Sequence, residues 1–311
     1  MIALVANFFV VNVTSANNDI DTSQWTLQVD EALALEQQGE VSKALTALRQ
    51  HADNGNGLAQ FSYAWRLKGS ADADQRSLAC TYFVKSAQLN VPVGAQESGH
   101  CVRDGILKES EEKRLEMANE FYTVAIDNGL VAAYCDKAIL VQNKPSQTLN
   151  ELTALCEQVA AQGAVYAQET LVDLYSNPDG LNNNDKAIYW LQMAAEKSAK
   201  SAYRYALTLH QSGQIKPELT RFYFEAAAAK GYIPAYLETS ALYLNAFAAE
   251  TEQKKAEDYL AKAYLWANAW KIRNPNTEAP DWVVQIEQQV PKTWKASLDA
   301  KVAEHTNQFS G

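Results

Sequence analysis

The sequence contains little glycine and proline, with only 13 and 8 residues of these types among 311. β-Architectures with many tight turns depend on both residues, because they supply the backbone conformations that turns need. Their scarcity, together with abundant alanine, favours long helices that pack closely through small side chains. We therefore expect an all-α protein.

Positive charge is also scarce. Only 27 Lys and Arg residues oppose 37 Asp and Glu residues, which gives a formal net charge of -10. Proteins that bind nucleic acid or anionic lipid attract the phosphate groups with a positive surface. We therefore expect neither nucleic acid nor an acidic membrane as a partner.

The apolar run at residues 2–13 is too short for a transmembrane helix, which needs ~20 residues. Thr14, Ser15 and Ala16 follow it as small residues before a polar stretch, an order typical of a secretory signal peptide. No Lys or Arg stands near Met1, so a mis-assigned start codon or a buried N-terminal helix stays an alternative. No cysteine lies nearby to carry a lipid. If residues 1–16 are removed as a signal peptide, we expect a periplasmic or secreted protein that does not insert into a membrane.

Motifs for catalysis, metal binding and nucleotide binding are absent from the sequence. His51, His100, His210 and His305 are far apart and form no H-x-x-x-H or H-E-x-x-H pattern. The sequence has no G-x-S-x-G, no phosphate-binding loop and no dinucleotide fingerprint. The S-x-x-K match that begins at Ser110 has no S-D-N or K-T-G partner. We expect no catalytic residue, no metal and no cofactor.

A repeat of 33 to 38 residues runs through most of the chain. Six helices are predicted to begin near an alanine followed by Gln or Tyr, at Ala59, Ala95, Ala133, Ala167, Ala202 and Ala235. Another alanine stands seven or eight residues earlier in each case. Gly lies four residues before four of the six, where it can end the preceding helix in the left-handed conformation. Stacked helical pairs of this kind build one continuous core.

Residues 182–213 (NNNDKAIYWLQMAAEKSAKSAYRYALTLHQSG) resemble the Sel-like repeat family, a tetratricopeptide-class αα repeat. The matching positions are Lys186, Ala187, Trp190, Ala194, Ala195 and Ala202, and in the preceding unit Gly163, Ala167, Gln168, Leu171 and Tyr175. Asn184 or Asp185 is the expected helix cap in the first of these segments. Other units match less fully, and Val91 replaces one of the helix-ending glycines.

The resemblance implies an α/α superhelical solenoid of about seven antiparallel helical pairs with a C-terminal capping hairpin. A first pair is expected over 24–53 with its turn at Gly39. The capping hairpin is expected over 280–305 with a break at Pro291. The predicted division is 1–16 signal peptide, 17–275 repeat solenoid and 276–311 capping helices and tail.

Four cysteines form two pairs with the same spacing, Cys80 with Cys101 and Cys135 with Cys156, each 21 residues apart. Each pair is placed symmetrically about a predicted turn, so its members should lie side by side on antiparallel helices, as a disulfide requires. An exported protein would meet an oxidising environment. The alternative is four buried free thiols, which helical cores often contain.

The resemblance also indicates which residues line the inner wall, namely the second and sixth positions after each opening alanine. The candidate partner-binding residues at these positions are Phe61, Trp65, Glu97, Glu169, Asp173 and Arg204. Phe61 and Trp65 would form an apolar anchor, unless both pack on the N-terminal helical pair. We expect an exported scaffold that binds an unidentified protein or peptide. The alternatives are an envelope enzyme or binder acting on peptidoglycan or β-lactam ligands, and a structural envelope component.

Overall fold

The computed structural model describes residues 22–107, 110–143, 145–212 and 217–309. Residues 1–16, for which a signal peptide is predicted, lie outside the described part. The described residues form sixteen helices and no strands, which confirms the all-α prediction. No helix among them is both long enough and apolar enough to cross a membrane.

The helices follow one another with short connections. They are α1 (Trp25–Gln37), α2 (Val41–Asp53), α3 (Gly57–Lys68), α4 (Ala73–Gln88), α5 (Pro92–Arg103), α6 (Glu111–Asp127), α7 (Ala133–Leu140), α8 (Gln147–Ala161), α9 (Val165–Ser176), α10 (Asn184–Ala195), α11 (Ala199–Ser212), α12 (Pro217–Ala229), α13 (Pro234–Ala249), α14 (Gln253–Arg273), α15 (Asp281–Gln289) and α16 (Lys292–Gln308). Helices α1 to α14 make up seven pairs, the predicted number.

The repeated alanines are buried because they lie where neighbouring helices approach closely. Every one of the twelve is at most 4% exposed, at positions 52, 59, 87, 95, 125, 133, 160, 167, 195, 202, 228 and 235. A larger side chain at these positions would separate the helices. The alanine period in the sequence is therefore the period of helix packing.

Helix ends follow the predicted glycine pattern. Gly55, Gly129, Gly163 and Gly231 all have positive φ between 81° and 93°, and Gly39 makes the first turn with φ of 82°. In the repeat where Val91 replaces this glycine, Asn90 takes the left-handed conformation with φ of 59°. Asparagine tolerates that conformation better than most residues, so Val91 does not prevent the turn.

The chain divides into two compact units. The first comprises the described residues up to Gln162 together with Asn177–Leu181, and contains α1 to α8. The second comprises Gly163–Ser176 and the described residues from Asn182 onward, and contains α9 to α16. This division falls inside the segment for which we expect one solenoid, and the boundary between 275 and 276 stays a prediction.

The C-terminal helices of the second unit pack on α14. The hydroxyl of Tyr264 donates to Asp299 at 2.7 Å, and Arg273 donates to the Phe309 carbonyl at 2.6 Å. The break at Pro291 is confirmed, because it separates α15 from α16.

The α10 cap differs from the sequence prediction by one residue. The side chain of Asn183, rather than that of Asn184 or Asp185, accepts a hydrogen bond from the Lys186 backbone at 3.1 Å. Asn184 is already the first residue of the helix, so the predicted cap was wrong.

Candidate functional site

Both predicted cysteine pairs are disulfide-bonded. Cys80 on α4 bonds Cys101 on α5, with 5.8 Å between the Cα atoms, and Cys135 on α7 bonds Cys156 on α8, with 4.8 Å. All four cysteines of the sequence are used. The first bond joins two successive helical pairs, and the second joins the two helices of one pair.

A largely buried histidine lies beside these disulfides in the sequence. His100 precedes Cys101 on α5, and Asp136 follows Cys135 on α7, the next helix but one along the chain. The His100 Nε2 atom lies 2.7 Å from Asp136 Oδ1, and its Nδ1 atom lies 3.5 Å from Glu97 Oε2. Asp136 is fully buried and also accepts a hydrogen bond from the Gln96 amide at 2.7 Å. An imidazole that faces carboxylates through both nitrogens is suited to the doubly protonated, positively charged form.

The protonation equilibria follow from this geometry. Burial disfavours the charged imidazole, but hydrogen bonds and attraction to Asp136 and Glu97 outweigh it and raise the pKa of His100 to about 9. Burial likewise opposes ionisation of Glu97, yet His100 and Lys68 hold the pKa of Glu97 below its usual range. Both groups are therefore charged at neutral pH.

The charges continue to the protein surface through Lys68. Its Nζ atom lies 2.5 Å from Glu97 Oε2 and 4.7 Å from the centre of the Trp65 ring. We call Lys68, Glu97, His100 and Asp136 the ionic chain. It connects α3, α5 and α7, the first helices of three successive pairs. At its outer end, Trp65 is 47% exposed.

The structure separates the two predicted anchor residues. The Phe61 and Trp65 rings contact each other, with centroids 5.8 Å apart, but Phe61 is only 9% exposed and packs on Phe83 in the core. A partner would therefore meet Trp65 and not Phe61. Glu97, expected on the inner wall, is 7% exposed and belongs to the ionic chain.

The remaining candidate residues lie in the second unit. Glu169 accepts hydrogen bonds from the hydroxyls of Ser198 and Ser201, both at 2.6 Å. Arg204 donates to Asp173 at 3.1 Å. Arg204 also borders a cavity of about 280 Å³, whose lining residues are Val172, Ser176, Asn184, Ala187, Ile188, Leu191, Arg204, Leu207, Thr208 and Gln211. Five of these residues are apolar and five are polar or charged.

Comparison with known proteins identifies the fold. A protective antigen of uropathogenic Escherichia coli with an SLR fold superposes with a TM-score of 0.51 at 16% identity, and the match covers 90% of this chain but 60% of that one. A Sel1 repeat protein from Oxalobacter formigenes superposes with a TM-score of 0.50 at 17% identity, covering 76% of this chain and 98% of that one. The chain has the Sel1-like repeat fold. No protein-family model matches the sequence, and no curated protein matches it.

The charged side chains of the ionic chain bind one another. Both nitrogens of His100 face carboxylates. Within the described ranges, no three or more His, Cys, Asp or Glu side chains are arranged to hold a metal ion. The arrangement is suited to holding helices together and to fixing a surface side chain.

Sequence reasoning missed Lys68, His100 and Asp136 as members of one site. His100 and Asp136 are 36 residues apart, about one repeat unit, and each lies next to a cysteine. Charged residues at such buried positions need partners, since an unpaired buried charge is strongly destabilising. A search for charged residues beside the paired cysteines would have found this pair.

Proposed function

We propose that the protein is an exported interaction scaffold that binds a protein or peptide through a surface centred on Trp65. The supporting observation is the exposure of this side chain. In the described part of the chain, Trp65 is the one tryptophan whose side chain is exposed. Tryptophan is enriched among residues that dominate binding energy at protein interfaces.

The contacts of Trp65 with its neighbours also favour a role of this side chain in binding. Its inner edge contacts Phe61, and the Lys68 ammonium group lies over its ring. A ring held in this way loses little conformational entropy when a partner covers it. The exposed Lys68 ammonium group then provides a polar neighbour to an apolar centre, as at the rim of a typical interface.

The polar residues of the second unit would add orientation rather than affinity. Glu169, Asp173 and Arg204 are engaged by neighbours through hydrogen bonds or an ion pair. Charges that are exposed or only partly buried contribute little to affinity, although they influence specificity. We propose that they contact the partner without dominating its binding.

Truncation of Trp65 tests the proposed surface. The Trp65→Ala variant should weaken binding of the native partner, captured from the cell envelope and identified by mass, by at least roughly tenfold. Phe222→Ala is the matched control, because Phe222 is 61% exposed and lies on the second helix of its pair. Far-ultraviolet circular dichroism would show that both variants keep their helical content.

Three results would contradict the proposal. Equal losses of binding for Trp65→Ala and Phe222→Ala would show that the surface is not specific. Unfolding of the N-terminal helical pairs in Trp65→Ala would assign this residue to the core. Turnover of a chromogenic β-lactam by the purified protein would instead favour an enzyme.

The disulfides and the apolar N-terminal run support export to the periplasm or beyond the cell. The mature protein should begin after residue 16 and should present no free thiol when denatured without reductant. N-terminal sequencing and thiol labelling of exported material check both points. A mature chain that begins at Met1, or four labelled thiols, would contradict this part of the proposal.

A further inference from the structure

We propose that the His100 imidazolium is the positioning group of the Trp65 surface, acting through Glu97 and Lys68 in a pH-dependent manner. The proposal extends the proposed function, but it concerns the conformation of Trp65 and can be tested without a partner. It follows from the geometry of the ionic chain.

The imidazolium serves two carboxylates on opposite sides. Each ring nitrogen carries a hydrogen in the charged form, so Asp136 and Glu97 both face a donor. A neutral imidazole keeps only one of these hydrogens. Loss of a proton therefore leaves one carboxylate facing a lone pair.

The distances indicate which carboxylate loses its donor. The Asp136 contact is 2.7 Å, whereas the Glu97 contact is 3.5 Å. Asp136 is also fully buried, so an unpaired charge there is strongly disfavoured. The remaining hydrogen should stay on Nε2 and face Asp136. The lone pair of Nδ1 then faces the Glu97 carboxylate and repels it.

The displacement of Glu97 reaches the surface through Lys68. The Lys68 ammonium group is the second cation bound by Glu97 and is also the cation above the Trp65 ring. When Glu97 moves, Lys68 must change its position relative to Trp65 or lose its ion pair. The environment of Trp65 should therefore change when His100 loses its proton.

Several charged or titratable groups face His100. They include Glu97 on its own helix, Asp136 on α7 and Tyr122 on α6, and Lys68 on α3 acts on it through Glu97. Arg103 and Asp104 pair with each other at 2.8 Å and act on the Tyr122 hydroxyl. Burial raises the pKa of Tyr122, so this ring stays neutral while His100 titrates.

Fluorescence tests the proposal. The emission of Trp65 is obtained as the difference between the wild-type protein and Trp65→Phe from about pH 7 to about pH 10. The titration of His100 is followed by NMR, with its signal assigned from His100→Gln. We expect the Trp65 emission to change with the same midpoint as His100, near pH 9.

Variants of Lys68 provide the matched controls. This side chain is 44% exposed, so its replacement should leave the fold intact. Lys68→Met, with its own Trp65→Phe reference, should abolish the emission change although His100 still titrates. Lys68→Arg should retain the change, because Arg also binds a carboxylate and stacks on an aromatic ring.

Three outcomes would overturn the proposal. One is a constant Trp65 emission while His100 titrates. Another is a midpoint unrelated to that of His100. The third is an unchanged response in Lys68→Met. If instead the emission follows His100 but no partner depends on Trp65, the positioning role stands and the proposed binding function fails.

Discussion

His100 should make the stability of the protein depend on pH. The pKa of a histidine in the unfolded chain is about 6.5, and the folded structure raises it to about 9. The folded state therefore binds the proton more tightly. The resulting stabilisation is fully present below about pH 6.5, decreases above it, and is lost once the pH has risen through about 9. Its full size is on the order of 3 kcal/mol.

Replacement of His100 by glutamine should remove this dependence. Urea unfolding at about pH 6 and about pH 10 should show a larger decrease in the free energy of unfolding for the wild type than for His100→Gln. His51→Gln is the control, because His51 lies at the end of α2, outside the ionic chain. The same pH dependence in the wild type and His100→Gln would assign the effect to other groups.

Residue-level prediction succeeded where the contact depends on a single turn. Cys80 and Cys101 are equidistant from the turn at Asn90, so their pairing could be derived from spacing alone. The contact between His100 and Asp136 depends instead on how α5 packs against α7, with α6 between them in the chain. Periodicity identifies the buried face of each helix but not which side chains meet across two packed pairs.

At the scale of the helix, local signals determine where each element begins and ends. The alanine period predicted six of the seven pairs, and the glycine period predicted the helix ends at four of the six turns between pairs. The α10 cap was displaced by one residue, because 182–184 are three asparagines of similar capping ability. The backbone of Asn183 also donates to the Tyr175 carbonyl at 2.8 Å, which places its side chain at the helix end.

Replacement of the cap should destabilise the protein through α10. Asn183→Ala removes the acceptor for the Lys186 backbone and should lower the free energy of unfolding by about 1 kcal/mol. Asn184→Ala, one residue later, should change it much less, because Asn184 is exposed and alanine favours helix. Chemical denaturation of the two variants checks the difference. A larger loss for Asn184→Ala would contradict the assigned cap.

For the molecule as a whole, the composition predicted the fold class, but the two compact units were not predicted. The alanine and glycine repeat continues from α8 to α9 without interruption, so the sequence gives no sign of a division near Gln162. The cysteines do differ between the units. All four lie in the first unit, and the second contains none. Covalent constraint is thus confined to the unit that carries the ionic chain.

Reduction of the disulfides should therefore act directly on the first unit. Each bond closes a loop with a sequence separation of 21, for which chain entropy predicts a stabilisation of ~3 kcal/mol per bond. With reductant, backbone amides of α4, α5, α7 and α8 that exchange only on unfolding should exchange roughly 100-fold faster or more. Amides of α13 and α14 provide the internal control within the same sample.

The double variant Cys80→Ala with Cys101→Ala separates the loss of the bond from other effects of the reductant. Without reductant, it should reproduce the faster exchange in α4 and α5, because the loop that contains the turn at Asn90 is no longer closed. The Cys135–Cys156 bond is retained, so protection should be lost less in α7 and α8 than in the fully reduced wild type. Equal acceleration in all helices of both units would show that the disulfides stabilise the chain as one cooperative body rather than through the first unit alone.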